Sequence, residues 1–297
     1  MESKGIVSSS LRFWWLGRLT RQWGNIKAGE YKVSASQPPL QIFQIITSGI
    51  SVTRPLTIPE GENLYEVAQI VETHGVIPAQ NFLSLCKDPK FIATLGFSPP
   101  APSNLEGYIF PDTYFFNRST PAEEMIRTMV KRFFEAWGQE EEFRAQELGF
   151  TRQQAITLAS MIEKETGAQE ERPMISSVFH NRLKKRMRLQ SDPTTIYGIW
   201  ERYQGNLRKT DLLEKTPYNT YTIPALPAGP ISNPGREAIR AALFPAESDY
   251  LFFVSHNDGT HEFTTTFGDH SKAVQKFQLD RKAREGKSWR NLNPKTN

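Results

Sequence analysis

Residues 157–193 read TLASMIEKETGAQEERPMISSVFHNRLKKRMRLQSDP, and the fold turns on how this stretch divides. Ala155, Leu158, Ala159 and Ile162 recur at i, i+3, i+4 and i+7, the spacing of a helix that buries one face. Thr166 and Gly167 end that helix. Pro173 then falls near the first turn of a second, with Glu170 and Glu171 ahead of it and Lys184, Lys185 and Arg186 at its far end. This charge order complements the helix dipole and accounts for the basic cluster, although the same cations could meet acidic peptides or lipid phosphates.

The first helix closes on an acidic pair, Glu163 and Glu165. Glu165 follows Leu158 by seven residues, Met161 by four and Ile162 by three, so it stands beside the apolar stripe, whereas Glu163 neighbours Ala159 and Ser160. The last turn carries the negative pole of the peptide dipoles, which disfavours an anion there, and apolar neighbours add desolvation in the same direction. A raised pKa is expected, as a general acid working near neutral pH requires. The plain alternative is a pair of solvated helix-end charges, balanced by Lys164 or Arg172. Spacing favours Glu165 only slightly, and both readings stand at this point.

Composition sets the frame. A chain of 297 residues can bury a substantial core and divide into two parts, and 23% charged with 38% hydrophobic residues is a globular mix rather than a disordered one. The net charge of +4 suits a polyanionic wall polymer, an anionic lipid surface or nucleic acid, and selects none of them. Cys86 is the sole cysteine, which excludes an intrachain disulfide and a cysteine-built zinc site. No run approaches the roughly 18 apolar residues that a membrane span requires, so the sequence as written reads as a soluble chain.

Working outward, Leu11 to Trp23 mixes aromatics with Arg12, Arg18 and Arg21. It reads as a helix packing Phe13, Trp14 and Leu19 on its own domain, with a membrane-surface helix as the alternative. Residues 27–31 suggest a turn entering a short strand, and Pro39 to Thr47 a helix closed by Ser48 and Gly49. Val52 to Ile58 alternates as a strand; helices follow over Leu64–Thr73 and Ala79–Cys86, and the Pro-rich run at 99–102 is the best linker candidate. Beyond it, 105–116 is aromatic and extended, with Glu106 and Asp112 among apolar neighbours, where carboxylates are either hydrogen-bonded or functional. A long helix spans Pro121 to Trp137, and the acidic residues at 140–142 read as solvated surface.

Three segments, 189–198, 218–221 and 226–235, read as loops rich in Pro, Gly, amides, hydroxyls and tyrosines. Sugar sites use this mixture, since aromatic faces cover pyranose C–H groups while amides and carboxylates bond the hydroxyl and acetamido groups. The C-terminal part reads as helix Arg236–Leu243, strand Tyr250–Ser255, a turn at 257–259, strand His261–Thr265, helix Asp269–Gln278 and a fraying polar tail from Arg284. The fold class is α+β. G-x-S-x-G, P-loop and G-x-G-x-x-G motifs are absent, and of the histidines only His256 and His261 could face each other, which argues against a metal site or cofactor. Nucleic-acid binding would need basic and aromatic residues interleaved on one surface, and the cations here are scattered or explained by helix ends.

The run LASMIEKETG at 158–167, with ERP at 171–173, NRL at 181–183, LQSDPT at 189–194 and YNTY at 218–221, closely resembles the MltG (YceG-like) endolytic murein transglycosylases. LEGY at 105–108, FPDTY at 110–114, LPAGPI at 226–231, NPG at 233–235 and the YLFFV strand carry the likeness across nearly the whole chain.

The resemblance implies a small LysM-like α/β module within 1–100, followed by a larger α+β catalytic domain over 101–297. It implies cleavage of the N-acetylmuramic acid to N-acetylglucosamine bond in nascent peptidoglycan strands, leaving 1,6-anhydro ends. The family's essential glutamate falls on Glu165. Glu106, Gln190, Asp192, Tyr218 and Asn219 are candidates for orienting the sugar or supporting that acid. No metal or cofactor is implied. Glycan strands are the implied substrate, penicillin-binding peptidoglycan synthases the implied partners, and the inner membrane, with the catalytic part facing the periplasm or wall, the implied location. Family members begin with a transmembrane helix that this sequence does not display, so membrane attachment rests on an anchor absent from this chain. The competing functions are a glycan-binding protein without chemistry and a cytosolic lyase of a small molecule.

Overall fold

The computed structural model describes residues 6–280, and the tail expected to fray from Arg284 lies outside the described residues. In chain order come α1 (Ser10–Leu19), α2 (Pro39–Ser48), β1 (Arg54–Ile58), α3 (Leu64–Thr73), α4 (Ala79–Cys86), α5 (Pro89–Ile92), β2 (Asp112–Phe116), α6 (Ala122–Ala136), α7 (Gln139–Glu147), α8 (Arg152–Glu165) and α9 (Arg172–Lys184). After these follow α10 (Asp192–Gly198), α11 (Lys209–Leu213), α12 (Arg236–Leu243), β3 (Phe252–Ser255), β4 (His261–Thr264) and α13 (Phe267–Val274). Helices with two small antiparallel sheets make this an α+β fold.

The central helix is α8. It starts with a reciprocal capping box between Thr151 and Gln154, and every residue from Ala155 to Ile162 is buried. A helix enclosed all round must satisfy its polar side chains locally, and it does: Thr157 Oγ1 donates to the Gln153 carbonyl, and Ser160 Oγ donates to the Thr157 carbonyl while accepting from Ile231 N. The one-sided apolar stripe read from the sequence is thus part of a fully buried helix, against which α9 and α12 pack.

One continuous core runs from Leu56 to Leu243, with α8 inside it. β1 and β2 pair antiparallel, Leu56 opposite Tyr114, and their inward residues Leu56, Ile58, Tyr114 and Phe116 join this core. The result is a unit from 54 to 116 in which α3, α4 and the single-turn α5 lie between two paired strands, and the Pro-rich run at 99–102 lies within it. A second cluster of Val7, Phe13, Ile42, Phe43 and Ile46 holds α1 to α2. In α1 the contact falls on Phe13 and Gly17, whose absent Cβ would lie 2.4 Å from Phe43, while Leu19 is 77% exposed.

Three further expectations change. Residues 27–33 form no strand; Glu30 is tied to the 51–52 segment by Ser51 Oγ and Val52 N. Within 189–198, Asp192 to Gly198 is a helix with Pro193 in its first turn, the position where a missing N–H costs nothing. Glu142 is no free surface charge but accepts from Trp137 Nε1 at 2.8 Å and from Arg152 at 2.6 Å.

Loops 58–64 and 229–235 are stitched by Asn233, which is fully buried. Its Oδ1 accepts from Ile109 N, its Nδ2 donates to the Glu62 carbonyl, and its backbone exchanges bonds with Gly61 and Glu62. Nearby, Gly107 has φ +85°, and a Cβ there would stand 2.7 Å from Pro230 and 2.8 Å from Ile156. Gly149 also has positive φ, +74°, but open space around it. Gly107→Ala should therefore cost about 2–4 kcal/mol, strain plus overlap, and Gly149→Ala only about 1 kcal/mol. Urea midpoints of the two variants measure the difference.

Candidate active site

The two glutamates at the end of α8 part company. Glu163, with its side chain 6% exposed, accepts from Arg172 Nη2 at 2.8 Å and from Gly235 N at 3.0 Å. Arg172 is equally buried, so this is an internal ion pair that ties α8 to the start of α9 and to the loop entering α12. The paired-charge alternative thus describes Glu163. Lys164 donates to the Gly61 carbonyl at 3.0 Å instead of meeting a carboxylate.

Glu165 is the last residue of α8 and is half-buried. Its Oε1 accepts from Ser191 Oγ at 2.5 Å, and among the described residues no cation pairs with it. Desolvation raises its pKa to about 7; repulsion from Asp192 adds to this, while the Ser191 bond and the Arg182 charge pull it back. Such a group holds its proton at neutral pH and can give it up.

Its surroundings are built for rigidity. Ser191 stands just before α10; its N–H meets Thr220 Oγ1 at 3.0 Å and its carbonyl accepts from Thr194 Oγ1, leaving its hydroxyl for Glu165. Arg182 is buried, donates to the carbonyls of Leu251 and Leu189, and lies over the Phe252 ring. On the other side, the α8–α9 turn meets the β3–β4 hairpin: a Cβ on Gly167 would sit 2.7 Å from the Gly259 carbonyl, and His261 Nδ1 lies 2.7 Å from Glu171.

The profile of the YceG-like family matches residues 1–276. The chain belongs to the YceG-like family. It is 33% identical to an endolytic murein transglycosylase of Bacillus subtilis, over 84% of this chain and 73% of that protein. It is 29% identical to one from Streptococcus pneumoniae serotype 2, over 92% of this chain and 54% of that protein, so the chain spans about half of the streptococcal relative. A 2.6 Å crystal structure of a YceG-like protein from Listeria monocytogenes matches with a TM-score of 0.67 at 32% identity, covering 91% of this chain and 92% of that one.

In this YceG-like chain the other sequence candidates fall into three groups. Gln190, exposed with φ +53°, and Asp192, exposed and accepting from Tyr221 Oη at 2.6 Å, flank Ser191 and so border Glu165. Glu106 and Tyr218 lie toward the opposite end of α10. Glu106 is 1% exposed, accepts from Leu64 N at 3.0 Å and Tyr197 Oη at 2.8 Å, and is pushed by desolvation to about 7. Tyr218 packs edge-on against Tyr197 at 4.7 Å. Asn219 is fully enclosed: Oδ1 accepts from Thr195 Oγ1 and Tyr221 N, and Nδ2 faces the carbonyls of Asp211, Leu212 and Glu214. Asp112 pairs with Arg132 at 2.6 Å on the surface.

Ser191, Arg182 and Tyr221 were missed as site residues. Ser191 carried a faint signal, a serine directly before Asp-Pro at a helix start, where a hydroxyl normally caps the helix and here does not. The described residues contain no group of His, Cys, Asp or Glu fit to hold a metal ion, and His256 meets Thr260 and Glu262 rather than His261.

Removing one partner of the Glu163–Arg172 pair strands a buried charge, so Glu163→Ala should lose about 3 kcal/mol of stability. Glu165 behaves oppositely. Its folded value of about 7 exceeds the ordinary 4.5, so the folded chain holds that proton more tightly, and the stability it adds is full below pH 4.5 and lost as pH rises through 7. Glu165→Gln has no such titration and should show a flatter stability profile than the native protein between these values, read as urea midpoints against pH.

Proposed function

We propose that this chain is an endolytic lytic transglycosylase of peptidoglycan, with Glu165 as its general acid and base. The observation that carries the reading is that half-buried Glu165 has its carboxyl raised to about 7 and, among the described residues, meets the Ser191 hydroxyl and no cation. The names of the murein transglycosylases it resembles support the substrate.

The protonated carboxyl gives its hydrogen to the oxygen joining N-acetylmuramic acid to N-acetylglucosamine. The bond from that oxygen to the muramic C1 breaks, and positive charge develops at C1. The 6-hydroxyl of the same sugar attacks C1 and returns its proton to the Glu165 carboxylate. One strand then ends in a 1,6-anhydro ring, the other in a free 4-hydroxyl, and no water is consumed. One carboxyl suffices because the nucleophile belongs to the substrate, unlike glycosidases that use two.

Gln190 and Asp192 border the acid and serve as direct sugar contacts. Asn219 has its amide engaged inside the protein, so its part is to hold the 218–221 loop. Two long helices and the single-turn α5 between paired strands over 54–116 support a LysM-like glycan-binding unit, its second strand drawn from beyond residue 100, with the catalytic part following. Action at the wall from the inner membrane, and association with peptidoglycan synthases, belong to the same proposal. Among the described residues no helix is long and apolar enough to cross a membrane.

Glu165→Gln should keep the fold and lower glycan cleavage by at least about a thousandfold. Mass spectrometry of digested murein should show anhydromuramic ends with the native protein; free reducing ends would mean hydrolysis and defeat the mechanism. Bound fragments with no cleavage, native and variant alike, would select the non-catalytic glycan binder.

Activity should fall as pH rises through about 7, because the free enzyme must hold the Glu165 proton. Ser191 donates to the carboxylate and so stabilises the anion. Ser191→Ala should move the alkaline limb of kcat/KM to higher pH, and an unmoved limb would separate Ser191 from the acid.

A further inference from the structure

The chain leaves α9 through a run of cations, Lys184, Lys185, Arg186 and Arg188, all exposed, and among the described residues none of them is ion-paired. The helix dipole accounts for Lys184 and Lys185 at the helix end, but its field fades within a turn, and Arg186 and Arg188 lie beyond it. Arg186 also adopts φ +55°, a left-handed position that glycine or asparagine takes at lower cost. The turn is held firmly. Arg186 N donates to the Leu183 carbonyl, Met187 N to that of Arg182, and Arg182 Nη1 to those of Arg188 and Leu189. The arginine whose charge acts on Glu165 therefore also fixes the basic turn. Arg188 is three residues from Ser191, at most about 11 Å of chain from the residue that touches Glu165.

A groove of about 450 Å3 opens beside Leu183, the residue just before the cations. Phe150 and Thr157 form its α8 side, and Leu226 and Pro227 form the other. The loop that carries Leu226 starts from Thr220, which bonds Gln190 and Ser191, so it leads from the acid to the groove. On α8, Thr157 precedes Glu165 by eight residues, about 12 Å along the axis. An extended peptide of about five residues spans about 17 Å, enough to run from a sugar at Glu165 into this groove. In peptidoglycan such peptides hang from the lactyl group of muramic acid and carry free carboxylates. A lipid surface is a poorer match, because interfacial binding needs apolar side chains beside the cations, and no large hydrophobic side chain between 144 and 212 is exposed.

We propose that the basic turn at 184–188 and the groove beside it form a peptide-binding site, which takes the acidic peptide carried by the muramic acid at the cleaved bond and makes the enzyme prefer peptide-bearing strands to bare glycan. The assignment rests on the glycan-cleaving function proposed above. The cations meet the peptide carboxylates, and Leu183 and Leu226 cover its alanine methyl groups.

The full chain carrying Glu165→Gln is titrated by calorimetry with muramyl pentapeptide and with the same compound whose carboxylates are converted to carboxamides. The carboxamide form should bind about tenfold more weakly, and so should the acid form once Lys185→Gln, Arg186→Gln and Arg188→Gln are combined. Leu226→Ala should weaken both forms about fivefold. Thermal unfolding checks that each variant folds, and the three exposed cations can be replaced without opening the core. Equal affinity for the two compounds, or unchanged affinity in the folded triple variant, would overturn the site. Loss of binding to phosphatidylglycerol vesicles in that variant, at unchanged peptide affinity, would assign the cations to lipid and overturn it as well.

In the otherwise native enzyme, the triple variant should raise KM about tenfold on uncrosslinked strands that keep their peptides, with kcat within about twofold. On the same strands stripped of peptides by an amidase, native and triple variant should share one KM. An equal rise in KM on both kinds of strand would defeat the assignment. If the native protein produced no anhydro ends, the proposed chemistry would fail while the titrations still decided the peptide site, so the two fail separately.

Discussion

The buried pair of Glu163 and Arg172 is the constraint on which the site depends. Three segments meet there: the end of α8, the first turn of α9, and the loop whose Gly235 N–H also reaches Glu163. A buried ion pair adds little net stability, because desolvation of both ions offsets much of their attraction. Its consequence is geometric. With Glu163 bound on both oxygens, the end of α8 cannot rotate, and the carboxylate two residues on is delivered to the surface facing Ser191. A Cβ on Gly235 would displace the half-exposed Glu60 carboxylate, which also approaches Arg172.

Much of this was legible in the chain, for identifiable reasons. The α8–α9 pair could be read because apolar periodicity, the stop at Thr166 and Gly167, and Pro173 follow one another within a short stretch. The same holds for α3, α4 and α12. Residues 192–198 read as a loop because their helix is short and rich in threonines whose hydroxyls bond elsewhere; Thr194 reaches Thr220 and Thr195 reaches Asn219. The preference for Glu165 over Glu163 came from a helix-face argument, yet α8 is buried on every side. Burial of one face does not separate the two residues; a distant arginine and a distant backbone N–H do. The pairing of β1 with β2 was equally hidden, because 53 residues lie between Ile58 and Asp112, and proline content at 99–102 says nothing about which strand lies beside which.

Two carboxyls in this protein are raised to about 7 by desolvation, and their surroundings assign them different work. Glu106 is closed off, and both its oxygens are used by Leu64 N and Tyr197. It can hold two elements together and cannot reach a substrate. Glu165 is only partly buried, and among the described residues its carboxyl meets one hydroxyl. Raised pKa alone nominates both, and the fuller enclosure of Glu106 discriminates between them.

A single carboxyl that acts first as acid and then as base needs a proton affinity near the middle of the working pH range, since a lower value leaves too little acid and a higher one a reluctant donor. The neighbours of Glu165 set such a balance. Desolvation and the Asp192 charge push the proton on, while the Ser191 hydroxyl and the Arg182 charge pull it off. Arg182 is kept at a distance by its bonds to the Leu189 and Leu251 carbonyls, so it tempers the acid without forming the ion pair that would abolish it. Were Arg182 free to reach Glu165 as Arg172 reaches Glu163, the helix would end in two structural salt bridges and the proposed acid would be lost.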